Sequence, residues 1–210
     1  MDIVHFGHAC VLLELDSARV LIDPGTYSAG FEDLRDLDLV LLTHAHPDHL
    51  DLDRLGALLA RNPRAVVVHS PGAAAALADL PGLVAVPGDE LSPNGILVTV
   101  TGSGTHACVH PDLPGSDNNG YLIDGVLHPG DAFDPLWPVD VLLVPAGGPW
   151  MKLMEGVDYV RELAPRIAIP IHQAGLATAH QNLHHRVLTE LAPAGTEVIV
   201  LEHARARTLR

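Results

Sequence analysis

The chain has 210 residues, 48% of them hydrophobic but only 4% aromatic, and a formal net charge of −14 at pH 7 with its 14 histidines counted neutral. That length suits one domain, residues 1–210, with a core built from Ala, Val and Leu. The acidic balance argues against nucleic acid as a partner, and no apolar run approaches membrane-spanning length.

The N-terminus, Met1-Asp2-Ile3-Val4-His5-Phe6, has no basic segment and no long apolar stretch, so a cytoplasmic protein is expected. Cys10 and Cys108 make no disulfide framework and read as buried free thiols in or beside strand-like runs. The sequence leaves open whether the chain forms a homo-oligomer.

In chain order, short apolar runs predict strands at 3–6 and 9–15 around Gly7-His8, and a third at 19–23 ended by Pro24-Gly25. Residues 38–43 read as a buried strand and 50–59 as an amphipathic helix. A strand follows at 65–69, then a short Ala-rich helix at 71–80 with Pro at its start. Strands are expected at 83–86 and 96–101, and a hairpin over 121–127 with Asp124-Gly125 at its tip. Buried strands at 139–144 and 167–171 alternate with helices at 155–164 and 176–191, and 197–201 closes the chain as a strand. Both halves run from strands to strands with helices between them. The pattern is a mixed-sheet α/β protein with helices outside packed sheets.

The strand at 38–43 and the helix at 50–59 flank Thr43-His44-Ala45-His46-Pro47-Asp48-His49-Leu50, which places three imidazoles and a carboxylate on one strand-to-helix loop. His44 and His46 alternate, so both rings can face one way in extended chain. Pro47 redirects the backbone before Asp48 and His49. Two ligand groups facing two nearby points suit a pair of metal ions held by imidazole nitrogen and carboxylate oxygen. Three later segments end in further ligand types just past apolar runs: His106, Asp131 and His172.

These residues, with Gly7-His8-Ala9-Cys10 and Leu21-Ile22-Asp23-Pro24, make the chain resemble the metallo-β-lactamase superfamily. It is most similar to the small stand-alone metal-dependent hydrolases that include the ascorbate-6-phosphate lactonases. The resemblance implies a four-layer αβ/βα sandwich with metals at one edge. It implies that His44, His46 and His106 hold one ion, that Asp48, His49 and His172 hold a second, and that Asp131 bridges them. Asp23 would orient a histidine of the motif, and His8 would lie near the site.

The implied chemistry is hydrolysis of a small polar or anionic molecule, a lactone, other cyclic ester or phosphoester, by a metal-bridged hydroxide, with Asp48 and Asp131 as the catalytic carboxylates. Zinc is the default ion; manganese is the main rival, and iron, nickel and cobalt also suit a thiolate-free donor set. The alternatives are an iron-dependent oxygenase or redox member of the superfamily, and a non-catalytic metal-binding module.

Around the site, Trp150 could wall the pocket and Lys152 could bind a substrate anion. Asp117-Asn118-Asn119 reads equally as a ligand contact or an Asx-rich turn. His110 is expected to stay outside the cluster. His180 and His184 show metal-binding spacing, but Leu176, Leu183, Val187 and Leu191 mark that helix as packed on a core.

Overall fold

Strand pairing divides the chain into two facing mixed sheets. The computed structural model describes residues 1–77, 80–136 and 138–209. The first sheet contains β1 (Asp2–His5), β2 (Val11–Glu14), β3 (Arg19–Ile22), β4 (Leu39–Leu42), β5 (Val66–His69) and β6 (Leu83–Val84). The second contains β7 (Glu90–Leu91), β8 (Val98–Thr105), β9 (Asp117–Ile123), β10 (Val126–His128), β11 (Val141–Pro145), β12 (Ile167–Ile171) and β13 (Glu197–Val198). β14 (Arg207–Thr208) returns to the first sheet beside β1, giving the orders β14-β1-β2-β3-β4-β5-β6 and β13-β12-β11-β10-β9-β8-β7.

Each sheet begins as an antiparallel meander and becomes parallel, at β3–β4 in the first and at β10–β11 in the second. Parallel neighbours need crossovers. Three helices supply half of them: α1 (Leu52–Arg61) between β4 and β5, α2 (Leu153–Leu163) between β11 and β12, and α3 (Thr178–Leu191) between β12 and β13.

The alternation of side chains along each strand makes the layers. In β4, Leu39 and Leu41 enter the core between the sheets, while Val40 and Leu42 face outward onto Leu55 and Leu58 of α1. In the second sheet Val141, Leu143, Ile167 and Ile169 point inward. Leu142, Val144 and Ala168 point outward, to Val157, Val160 and Leu163 of α2 and Leu188 of α3. Strands buried on both faces are continuous apolar runs for this reason. Full burial of Leu55 and of Leu58 contributes about 1.5–3 kcal/mol each.

α1 also anchors the loop beneath the His/Asp motif. Asp51 caps its start by accepting from the Arg54 backbone N–H at 3.0 Å. The Arg54 guanidinium then reaches Asp51, Glu32 and the carbonyls of Ser28 and Gly25 at 2.7–2.8 Å. Gly25 must lack a side chain, because a Cβ there would lie 1.8 Å from the Asp48 carbonyl oxygen.

Several expected elements differ. Over 71–80 only Pro71–Ala73 form a 3₁₀ turn, with turns to residue 77; residues 78 and 79 lie outside the described ones. The Ala run has too few large side chains to pack a helix. The closing strand stops at Val198, and α3 buries Leu188 while Leu183 and Leu191 are exposed. Cys10 is buried, but Cys108 is exposed, because the chain leaves β8 at Thr105 and runs as a loop. Among the described residues no helix is long and apolar enough to cross a membrane.

His5 is a buried imidazole of β1, with Nε2 donating to the His8 carbonyl at 2.8 Å. Burial lowers its pKa from 6.5 to about 4, against the opposing hydrogen bond. The unfolded chain therefore takes up a proton at higher pH than the native one, so this contribution is complete above pH 6.5 and is lost as pH falls toward 4. Lowering the pH from 7.5 to 5 removes about 2 kcal/mol through this group. Urea unfolding of His5→Gln, which keeps a donor but does not titrate, is expected to recover that loss at pH 5. An unchanged pH slope would refute the assignment.

Candidate metal centre

The cluster forms where strand ends of both sheets meet at one edge. β4 leads into Thr43 and the motif, β8 into His106, β10 into Asp131 through Pro129-Gly130, and β12 directly into His172. The β1–β2 turn brings His8, and the end of β3 brings Asp23. Hydrogen bonds between the sheets hold this edge. Tyr121 Oη donates to the Leu42 carbonyl at 2.9 Å, and the Asn119 N–H donates to the Thr43 carbonyl at 2.9 Å. The His172 N–H donates to the His8 carbonyl at 2.8 Å. His8, Asp23 and His172 all adopt left-handed backbone conformations, with φ of 51°, 50° and 61°. Such conformations cost about 1–3 kcal/mol each, and persist where the surroundings over-determine them.

The side chains converge as two groups. Ligand atoms of His44, His46 and His106 lie within 4.8 Å of one another, as do those of His8, Asp48, His49 and His172. Asp131 lies between them. Its Oδ1 is 3.1 Å from Nε2 of both His49 and His172, and its Oδ2 is 3.2 Å from His106 Nε2. Its backbone is held by Asn118, whose Oδ1 accepts from the Asp131 N–H at 3.0 Å and whose Nδ2 donates to the Pro129 carbonyl at 2.9 Å. Gly130, at φ 63°, is required there, since a Cβ would meet Asn118 Oδ1 at 2.1 Å.

The hydrogen bonds around the rings set their tautomers. His49 Nδ1 donates to Asp23 Oδ2 at 2.7 Å. His172 Nδ1 donates to the Gly147 carbonyl, and His106 Nδ1 to the Ala107 carbonyl. Thr43 Oγ1 gives its own proton to Asp23 Oδ2 at 2.7 Å and so accepts from His44 Nδ1 at 3.0 Å. Four imidazoles thus spend their N–H outward and turn the Nε2 lone pair inward. His49 Nε2 and His172 Nε2 face each other at 3.1 Å, and His44 Nε2 and Asp131 Oδ1 are buried without hydrogen-bond partners. Lone pairs pressed on a buried carboxylate repel unless a cation sits among them. The donor set therefore fits divalent metal.

The electrostatics agree. Burial acts to lower the His49 pKa, yet Asp131 and Asp23 drive it well above its ordinary value: the carboxylates favour a positive charge at that point, which either a proton on Nε2 or a metal ion in its place would supply. Burial and the neighbouring His49 hold His44 well below its ordinary pKa. Burial opposes ionisation of Asp131, but His49 and His172 keep its pKa well below the carboxylate range. Asp48 is lowered to about 2, because the hydrogen bond from His8 and the charge of His49 outweigh burial. His8 donates Nε2–H to Asp48 Oδ2 at 3.0 Å while its Nδ1 accepts from the Ala174 N–H at 3.3 Å. In this tautomer it orients Asp48.

Trp150 is buried beside the cluster, edge-on to His106 and His172 with ring centroids 6.0 and 5.8 Å away. Lys152 is exposed at the start of α2, where its backbone N–H donates to Glu155. Asn118 and Asn119 are buried in strand β9 and bonded to backbone, so the segment is a strand and not the expected Asx-rich turn. His110 is exposed on its loop, and His184 Nδ1 bonds the Ala146 carbonyl at 2.6 Å. Neither joins a group of three ligand side chains among the described residues. Thr43 and Asn118 had no sequence signal for these roles; each acts through a neighbour that is distant in the chain.

Two mixed sheets with helices outside and a His/Asp cluster at their shared edge define the metallo-β-lactamase fold. A model of the beta-lactamase superfamily domain matches residues 2–172. Protein Rv0786c of Mycobacterium tuberculosis is 43% identical over 211 residues, covering 97% of this chain and 99% of that protein. A UPF0173 metal-dependent hydrolase of Methanosphaerula palustris is 32% identical over 184 residues, covering 79% of this chain and 80% of that protein. Igni18, a metallo hydrolase from Ignicoccus hospitalis, shares the fold with a TM-score of 0.75 at 24% identity, covering 100% and 98% of the two chains. The chain belongs to the beta-lactamase superfamily and, within it, to the UPF0173 metal-dependent hydrolases.

Asp23 ties Thr43 and His49 without reaching the centre of the cluster. Asp23→Asn is expected to weaken metal binding about 10–100-fold while the fold survives, measured by competition with a chromogenic chelator. Unchanged affinity would remove Asp23 from this role.

Proposed function

We propose that this chain is a single-domain hydrolase with a dinuclear metal site. His44, His46 and His106 would hold one divalent ion, and Asp48, His49 and His172 the other, with Asp131 shared between them. The observation that carries this reading is the division of the Asp131 carboxylate, Oδ1 toward His49 and His172 and Oδ2 toward His106. An all-imidazole and carboxylate set suits zinc first, with manganese, iron, nickel and cobalt as rivals.

Bound divalent ions lower the pKa of water and polarise a substrate oxygen. The chain's own residues do the rest. The outward Nδ1–H bonds keep each ring in the tautomer that leaves Nε2 free. Asp48 is the partly exposed carboxylate of the set, 25% accessible. The hydrogen bond from His8 keeps it ionised at neutral pH, at the side where a proton can be taken up or handed on. Trp150 covers His106 and His172 and excludes water from that side. The substrate is a small molecule with an electrophilic carbon or phosphorus, a lactone or other cyclic ester or a phosphoester.

The test is metal analysis of protein purified without added metal, coupled to a panel of lactones, phosphodiesters and β-lactams and to an oxygen-uptake assay. Two equivalents per chain and hydrolysis without oxygen uptake are expected. His46→Ala and Asp131→Ala should each lose metal, and at least about 100-fold in activity, beyond the loss usual for supporting residues, with an unchanged circular dichroism spectrum. Full hydrolysis by either variant would end the proposal.

A further inference from the structure

The loop that follows β8 forms one wall of a cavity of about 550 Å³ that opens on the metal centre through His46 and His106. Its other lining is mainly apolar: Cys108, Val109, Leu113 and Pro114 contribute, His110 is the one further imidazole, and no Asp, Glu, Lys or Arg takes part. Val109 and Leu113 are 44% and 57% exposed. Large apolar side chains left open beside a reaction centre gain by being covered. His46 is the half-exposed imidazole of its group, so a molecule lying in the cavity would present its end at the His46–His106 edge.

We propose that this cavity receives an uncharged alkyl or aryl arm of the substrate. The substrate is then a neutral ester or lactone with an apolar substituent, not a phosphoester; the inference rests on the hydrolase reading above and narrows it. Two features carry the choice. A phosphoester is anionic at neutral pH, and besides the two ligand imidazoles the cavity offers an anion only the exposed His110 imidazole and no Lys or Arg. The net charge of −14 also repels anions at long range. An apolar arm meets neither cost. Hydrolysis forms the bond from water oxygen to the acyl carbon, breaks the acyl C–O bond, and leaves a carboxylate, an alcohol and one proton.

The test uses the metal-loaded protein and γ-lactones of increasing side-chain length, with bis-p-nitrophenyl phosphate as the anionic comparison. For each of the first few methylenes, kcat/KM is expected to rise about fourfold, and Leu113→Ser should flatten that slope. A second readout needs no catalysis. Cys10 is fully buried and Cys108 is exposed, so iodoacetamide labelling reports Cys108. A long-chain γ-lactam at twice its Kd should slow labelling about threefold. A flat chain-length dependence with hydrolysis intact, a preference for the phosphodiester, or unprotected Cys108 would overturn the cavity assignment and leave the hydrolase standing. Failure to hydrolyse any member of the series or the phosphodiester would instead overturn the reading on which it rests.

Discussion

A buried carboxylate surrounded by imidazole lone pairs is the constraint on which this structure turns. Asp131 is 2% exposed, and three Nε2 atoms crowd its two oxygens. Such a group is unstable in an apolar interior unless positive charge reaches it. The protein leaves the centre short of positive charge by directing the Nδ1 protons of His44, His49, His106 and His172 outward, to Thr43, Asp23 and two backbone carbonyls. The same bonds that fix the rings therefore create the demand for a cation. Asp23 stands at the root of this arrangement. It is fully buried and receives the Thr43 N–H, the Thr43 hydroxyl and His49 Nδ1.

The fold serves that centre by keeping its backbone rigid. Two sheets, each with an apolar face against the other and an apolar face against helices, leave one edge where strand ends can cross-link. Tyr121 and Asn119 from the second sheet grip the end of β4, and His172 grips His8. Arg54 fastens the 25–32 loop under the motif from α1. Strained left-handed residues at His8, Asp23 and His172 are sustained by these contacts, and they aim the side chains. The cost in backbone conformation falls at the site, and the wide double core offsets it.

The proposed chemistry and the proposed recognition divide between the sheets' shared edge and the loop after β8. The edge is polar, buried and held in one geometry. The loop is mostly exposed, presents Val109, Leu113 and Pro114, and reaches the centre through His106, next to His46 of the motif. On the proposed reading, activation of water belongs to the first part and selection among substrates to the second.

Much was legible in the chain alone. Most strand positions, the Asp124-Gly125 hairpin, the mixed-sheet α/β class and the His44 to His49 loop follow from local signals: alternation, turn chemistry and ligand spacing; the αβ/βα layering came only with the family resemblance. Those signals act between near neighbours, so one sequence suffices to read them. The tautomers of the rings, the roles of Thr43 and Asn118, the use of His8 to orient Asp48, and the apolar cavity beside His106 depend on residues brought together from different sheets. Local pattern also misjudged Cys108 and the 71–80 segment, where apolar or helix-favouring residues lack a surface to pack on. The sequence by itself determined which atoms could bind metal. Only the tertiary structure decided which way their lone pairs face, because that is set by hydrogen bonds across the two sheets.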